Sequence, residues 1–162
     1  YSRIRGDKAE NLETAIAYYQ EALKVTTFNA FPQDWARTQN NLGNAYLERI
    51  RGDKAENLET AIAYYQEALK VRTFDAFPQD WADTQNNLAN AYLYRIGGDK
   101  AENLEAAIAY YQEALKVRTF DDFPQDWADT QNNLALAYLY RIRGDKAKNL
   151  ENVIAYCQEA FK

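Results

Sequence analysis

Few side chains in this 162-residue chain are suited to chemistry, and their types narrow the choice at once. There is no histidine, so the usual general base at neutral pH and the usual zinc ligand are both missing. Cys157 is the single cysteine, which excludes an internal disulfide and a cysteine-built zinc site. Serine and threonine hydroxyls have no imidazole to activate them, and no Gly-rich phosphate loop occurs. Asp83 and Asp129 occupy equivalent places in a repeated sequence and would stand ~10 Å apart on neighbouring helices, too far to share a proton or one metal. Neither enzymatic activity nor a cofactor is expected. Arg5-Gly6-Asp7 and Arg51-Gly52-Asp53 spell a tripeptide read by cell-adhesion receptors, yet the third copy is Gly97-Gly98-Asp99. It keeps the Gly and Asp that a turn needs and drops the Arg that a receptor needs, so these letters read as a helix junction.

The formal net charge of -5 argues against a nucleic-acid or acidic-membrane surface, since both call for clustered Lys and Arg. Thirteen tyrosines could stack on bases, but most recur at helical spacing and read as core. No run approaches the ~18 uninterrupted apolar residues of a membrane span. A lone cysteine suits a reducing compartment, and a cytoplasmic location is the expectation.

Stepping outward from single residues, Arg3-Ile4 returns as Arg49-Ile50, Arg95-Ile96 and Arg141-Ile142, always 46 residues apart. Units 49–94 and 95–140 differ at four positions: Arg51/Gly97, Thr60/Ala106, Ala76/Asp122 and Asn90/Leu136. Units 3–48 and 49–94 differ at five: Thr26/Arg72, Asn29/Asp75, Arg37/Asp83, Gly43/Ala89 and Glu48/Tyr94. Units this similar must adopt one structure and stack, because a single unit could hardly bury its apolar face alone.

Each unit reads as two helices. One carries the stripe Leu12, Ala15, Ile16, Tyr19, Ala22 and Leu23, the spacing of an amphipathic helix. The other carries Trp35, Thr38, Leu42, Ala45 and Tyr46 and is opened by Pro32, with Asp34 near the positive end of its dipole. Between them, Gly6 is expected to end the preceding helix in a left-handed conformation, and Asp7 with Glu10 to cap the next. In the fourth copy Lys148 stands where the acidic partner of Asp145 would be, so that helix should start less firmly. The count is seven helices over one solenoid domain, 1–162, made of units 3–48, 49–94, 95–140 and a partial 141–162. The chain starts and stops within the array, as expected for part of a longer one.

These residues resemble the tetratricopeptide repeat, whose first helix carries Leu-Gly-x-x-Tyr and whose second carries Ala-x-x-x-Phe/Tyr-x-x-Ala. Leu42-Gly43 with Tyr46 matches the first, as do Leu88-Ala89 with Tyr92 and Leu134-Ala135 with Tyr138. Ala15, Tyr19 and Ala22 match the second, repeated at Ala61, Tyr65 and Ala68 and at Ala107, Tyr111 and Ala114. The period exceeds the usual ~34 residues, and Trp35, Trp81 and Trp127 stand one turn before the family's Trp, whose place is taken by Gln39, Gln85 and Gln131. The long form is similar to arrays in bacterial signalling proteins. The resemblance implies an all-α, right-handed superhelical solenoid of antiparallel helix pairs with the first helix of each pair on a concave wall.

That wall would be lined by Arg37, Asn40, Asn44 and Glu48, then Asp83, Asn86, Asn90 and Tyr94, then Asp129, Asn132, Leu136 and Tyr140. Several of the few differences between copies fall on this row, as an extended ligand would require. The carboxamides could pair with a peptide backbone, or could bridge neighbouring helices. Asn44 and Asn87 resemble part of the family's carboxylate clamp, but Asn40, Asp129 and Asn133 replace its cations. Cys157 and Val153 stand for a Tyr and an Ala and suggest repacking. The expected function is a non-catalytic scaffold binding a protein or peptide: Arg37, Asp83 and Asp129 would select charge, and Tyr94, Leu136 and Tyr140 would anchor. The rival is self-association through the terminal helices.

Overall fold

Proline and aspartate open alternate helices. The structure, a computed structural model, describes the backbone of residues 2–141 and 146–161 and the side chains of 7–141 and 149–161. Seven helices and no strand lie among the described residues: α1 (Ser2–Ala22), α2 (Pro32–Glu48), α3 (Lys54–Ala68), α4 (Pro78–Tyr94), α5 (Lys100–Ala114), α6 (Pro124–Tyr140) and α7 (Lys146–Ala160). The all-α helix-pair repeat is therefore as expected. Pro32, Pro78 and Pro124 sit in the first turns of α2, α4 and α6, where a missing N–H costs nothing. Asp53 accepts from the Ala55 N–H and Asp99 from the Glu102 N–H, satisfying donors that the first turns of α3 and α5 leave open.

The expected junction holds at two copies. Gly52 and Gly98 take φ of 82° and 77°, a region in which a Cβ would be strained. Behind each turn a buried asparagine secures the backbone: Asn57 Nδ2 donates to the Arg51 carbonyl (2.9 Å) and Asn103 Nδ2 to that of Gly97 (2.8 Å). The first copy is a correction. α1 runs unbroken from Ser2 to Ala22, so Gly6 neither ends a helix nor forms a turn, and Asp7 is not a cap. In the later copies the turn is braced against a preceding Pro-headed helix. The fourth copy's cap, Asp145, lies outside the described residues.

By packing, the chain divides into Tyr1–Thr73 and Phe74–Lys162. In the first unit α1 packs on α2 and α2 on α3. Ile16, Leu42 and Ala45 are its buried centre, with Tyr19, Leu23, Tyr46 and Tyr64 around them. At Gly43 the helices approach closely, since a Cβ there would lie 2.4 Å from the Tyr65 ring unless that ring shifted, as the buried Ala89 and Tyr111 of the next copy allow.

In the second unit α4 packs on α5, α5 on α6, α6 on α7, and α4 touches α6. Ala89, Leu93, Leu104, Ala107, Ile108, Tyr111, Leu134, Ala137 and Tyr138 form one buried cluster through three helices. Each Trp that stands a turn early meets the loop before it edge-on: Phe28–Trp35 at 5.0 Å, Phe74–Trp81 at 5.1 Å and Phe120–Trp127 at 5.3 Å. The extra turn thus anchors the loop, while Gln39, Gln85 and Gln131 are buried where the family has Trp.

Removing the amide that holds the junction should show its worth. Asn103→Ala leaves the Gly97 carbonyl without its donor and is expected to cost ~1–3 kcal/mol in urea unfolding, whereas the exposed Gln112→Ala should stay within ~0.5 kcal/mol.

Candidate binding surface

The Pro-headed helices carry the twelve residues of the expected row, four per helix, and the structure separates them by what their polar atoms already hold. At the first position Asp83 accepts from Arg118 Nη2 at 2.8 Å. Arg118 comes from the turn after α5, and its Nη1 also donates to Thr130 Oγ1 on α6 at 3.0 Å. Its side chain is largely covered, so this guanidinium is an internal tie between α4 and α6. Arg37, exposed on α2, pairs with Asp34 one turn earlier at 2.7 Å. Asp129 is exposed and accepts from Gln125 Nε2 at 3.1 Å.

At the second position Asn40 and Asn86 are buried. Asn86 Oδ1 accepts from Thr130 Oγ1 at 3.1 Å, which extends the Asp83–Arg118–Thr130 chain across α4 and α6. Asn132 is exposed. At the third position Asn44 Oδ1 accepts the Tyr65 hydroxyl at 2.7 Å, and Asn90 Oδ1 accepts that of Tyr111. Both tyrosines are fully buried and stand 21 residues after their partners. Burial holds their phenols well above the usual tyrosine range, with the Glu48 carboxylate adding to the effect at Tyr65 and Tyr94 adding at Tyr111.

In the last copy both members of that pair change. Leu136 stands for the asparagine and Cys157 for the tyrosine. Leu136 packs against the buried cluster of the second unit, so an apolar pair has taken the place of a hydrogen-bonded one. Val153 fills the place of Ala107 in the same step and partly repays the volume of the lost ring. Compensation between these two positions would give the Asn90/Leu136 difference an internal cause. At the fourth position Glu48 is exposed, 3.8 Å from Lys8, while Tyr94 and Tyr140 are 55% and 46% exposed.

Four residues outside the expected row thus decide its chemistry: Tyr65, Tyr111, Arg118 and Thr130. No within-copy pattern signalled Arg118, because its partner Asp83 lies 35 positions back in the preceding copy and the same register sets Arg72 against Arg37. Among the described residues no group of three or more His, Cys, Asp or Glu could hold a metal ion, and no helix is long and apolar enough to cross a membrane.

Helix pairs repeated at a fixed period, with small residues and a buried tyrosine at their contacts, define an all-α helical-repeat protein. The family model for the tetratricopeptide repeat matches residues 35–73 and 127–162, and residues 81–119 repeat the first of these stretches at the 46-residue period. These matches support the assignment of the chain to the tetratricopeptide repeat family. Repeats of this family generally mediate protein–protein interaction and are typically non-catalytic. No curated protein and no solved structure matches the chain.

Two measurements check this assignment of internal pairs. In a Val153→Ala background, which restores the room beside the ring, Leu136→Asn and Cys157→Tyr should each destabilise alone and recover together, with a coupling of ~1–2 kcal/mol in a double-mutant cycle. No coupling would mean that the two positions changed independently. The second is a pH profile. A phenol held neutral by the fold ionises in the unfolded chain near pH ~10, so its contribution is complete below that pH and is lost as pH rises toward the raised folded value. Thermal midpoints followed from about pH 9 to 11.5 should fall more steeply for the parent than for Tyr65→Phe/Tyr111→Phe, with the lysine contribution common to both.

Proposed function

We propose that this chain is a non-catalytic scaffold that binds an extended peptide or protein segment along the exposed part of the Pro-headed helices α4 and α6. The observation that carries the reading is what remains on α4 and α6 once the internal bonds are assigned. Tyr94 and Tyr140 occupy the same place on two touching helices of one unit, and both keep about half of their surface in solvent. Asp129 and Asn132 lie exposed on α6 with the second of these tyrosines. Large, rigid rings with a polar tip give much contact area for little lost freedom, which suits them to anchor a partner. Asp129 supplies a negative charge on the same helix, ~16 Å before Tyr140 along the axis, and an extended ligand that carries a basic group about that far from an apolar side chain fits. On α2 the same positions are Arg37 and Glu48, both exposed, which offer a different charge pattern. The buried or bonded members, Asn40, Asn44, Asp83, Asn86, Asn90 and Leu136, shape this surface from beneath. A reducing, cytoplasmic setting accords with the lone Cys157.

A displayed library of random peptides selected on the immobilised protein tests the reading. Retained sequences should combine a basic residue with an aromatic or aliphatic one, and Tyr94→Ala/Tyr140→Ala should weaken them at least tenfold while the helical circular dichroism is unchanged. Asp129→Lys should turn the charge preference from basic toward acidic. Sequences that bind the double Ala variant as well as the parent would move the site off this surface.

A further inference from the structure

A cavity of about 60 Å³ lies between the first halves of α4 and α6. Its lining is part apolar, from Ala82, Val117 and Phe123, and part polar, from Gln79, Asp83, Arg118 and Asp126. All of these residues belong to the second packed unit, so both helices that flank the cavity are in hand. Its charges do not balance. Arg118 meets Asp83 Oδ1 through Nη2 at 2.8 Å, which neutralises that cation, and the second Asp83 oxygen carries no bond among the described residues. Asp126, half-buried in the first turn of α6, has no ion pair among them either. The same position in α2 is Asp34, which pairs with Arg37 three residues on at 2.7 Å. In α6 the residue three on is Asp129, a second carboxylate. The helix dipole accounts for an acid in a first turn, but not for a like charge one turn later.

We propose that this cavity receives the ammonium of a lysine side chain of the bound segment, an inference that rests on the scaffold reading above and names the residue such a segment presents. An ammonium has three N–H donors and no acceptor, and the lining offers it the Asp126 carboxylate, the second Asp83 oxygen and the Gln79 carbonyl oxygen. Val117 and Phe123 suit the methylenes behind the charge. The volume is that of about two waters at ~30 Å³ each. An ammonium and the methylene that carries it fill such a space, whereas a planar guanidinium with its methylene exceeds it. Asp126 stands ~21 Å before Tyr140 along α6, so the lysine and the apolar anchor of one extended segment are held at separate places.

The probe is Nα-acetyl-lysine methylamide, which carries the ammonium without the other contacts of a peptide, titrated into the full isotope-labelled chain and followed by NMR at the backbone amides of Gln79, Val117, Phe123 and Asp126. Saturable shifts centred on these amides are expected. The norleucine analogue, which lacks the charge, should cause none, and the arginine analogue should bind at least fivefold more weakly. Asp126→Asn should weaken the lysine probe at least tenfold. Asp129→Asn, outside the cavity lining, should change it by no more than about twofold, and Asp129→Arg, which rebuilds the arrangement of Asp34 with Arg37, should abolish it. Unchanged helical circular dichroism shows that each variant folds. Absence of saturable shifts would overturn the proposal, as would equal binding of the arginine analogue or affinity that survives Asp126→Asn. The two readings fail separately. Tyr94→Ala/Tyr140→Ala should leave the lysine probe's affinity unchanged, whereas library peptides that bind through the tyrosines with no lysine preference would leave the scaffold standing and overturn the cavity's role.

Discussion

One guanidinium in each junction ties the helix it ends to a neighbour, at Arg49 joining three successive helices, and the rest of the repeat is arranged around it. Arg49, just after α2, lies over the Tyr46 ring of its own helix at 5.3 Å. It meets the Glu13 carboxylate of α1 through Nε at 2.7 Å and Nη2 at 3.0 Å, and donates from Nη1 to Asn57 Oδ1 on α3 at 3.2 Å. A planar fork of donors can make these contacts at once, which a lysine ammonium could not. The bond to Arg49 holds the Glu13 carboxyl below its ordinary range. With both side chains about a quarter exposed, the pair is worth little as bare charge attraction. Its value lies in orientation, since it fixes where one helix ends relative to the helices before and after it. In the second unit Arg95 stacks over Tyr92 and reaches Asn103, and Arg141 stacks over Tyr138 and reaches Glu105. The Arg-Ile pair that marks the 46-residue period in the sequence is thus the mechanical joint of the structure.

Once the helix ends are set, the polar residues between helices follow, and they take up most of the surface that first looks available to a ligand. Asn44 and Asn90 are close to obligatory while Tyr65 and Tyr111 are buried behind them, because a phenol with no acceptor would forfeit its hydration for nothing. Where the tyrosine becomes Cys157 that obligation ends, and Leu136 can replace the asparagine. Asp83 is tied to Arg118 in the same way. Differences between near-identical copies therefore fall into two sets, those that meet a partner inside the fold and those that lie exposed. Once the internal bonds are subtracted, Tyr94, Tyr140 and Asn132 stand out as exposed side chains, with Asp129 bonded only to Gln125 of its own helix.

The sequence was most legible where one residue acts on its own backbone. Pro32, Pro78 and Pro124 mark helix starts, Asp53 and Asp99 cap, and Gly52 and Gly98 turn, each for a reason confined to a few residues. The apolar stripes were legible too, since periodicity fixes which side of a helix faces inward. The polar pairs were not. Periodicity places Asn90 on a face, but whether its oxygen meets a ligand or the Tyr111 hydroxyl depends on a residue 21 positions away. Thr130 lies 44 positions from Asn86, and Arg118 lies 35 from Asp83. Such meetings depend on helix crossing and on how far a side chain reaches, neither of which a stripe encodes.

The first helix shows how far identical letters can part. From Arg3 to Lys24 and from Arg49 to Lys70 the two copies read the same. Leu58, Ala61 and Tyr65 are wholly buried, while Leu12, Ala15 and Tyr19 remain half-buried, and Gly52 turns where Gly6 is helical. No propensity scale can separate the two copies, so the difference must come from the neighbours. In a linear repeat each unit draws its stability from its own pairing and from the interface with its neighbour, so identical letters can sit in different surroundings. The glycine turn is therefore a property of the junction rather than of the glycine. The letters permit φ above zero, and the braces from Arg49 and Asn57 make it the lower-energy choice.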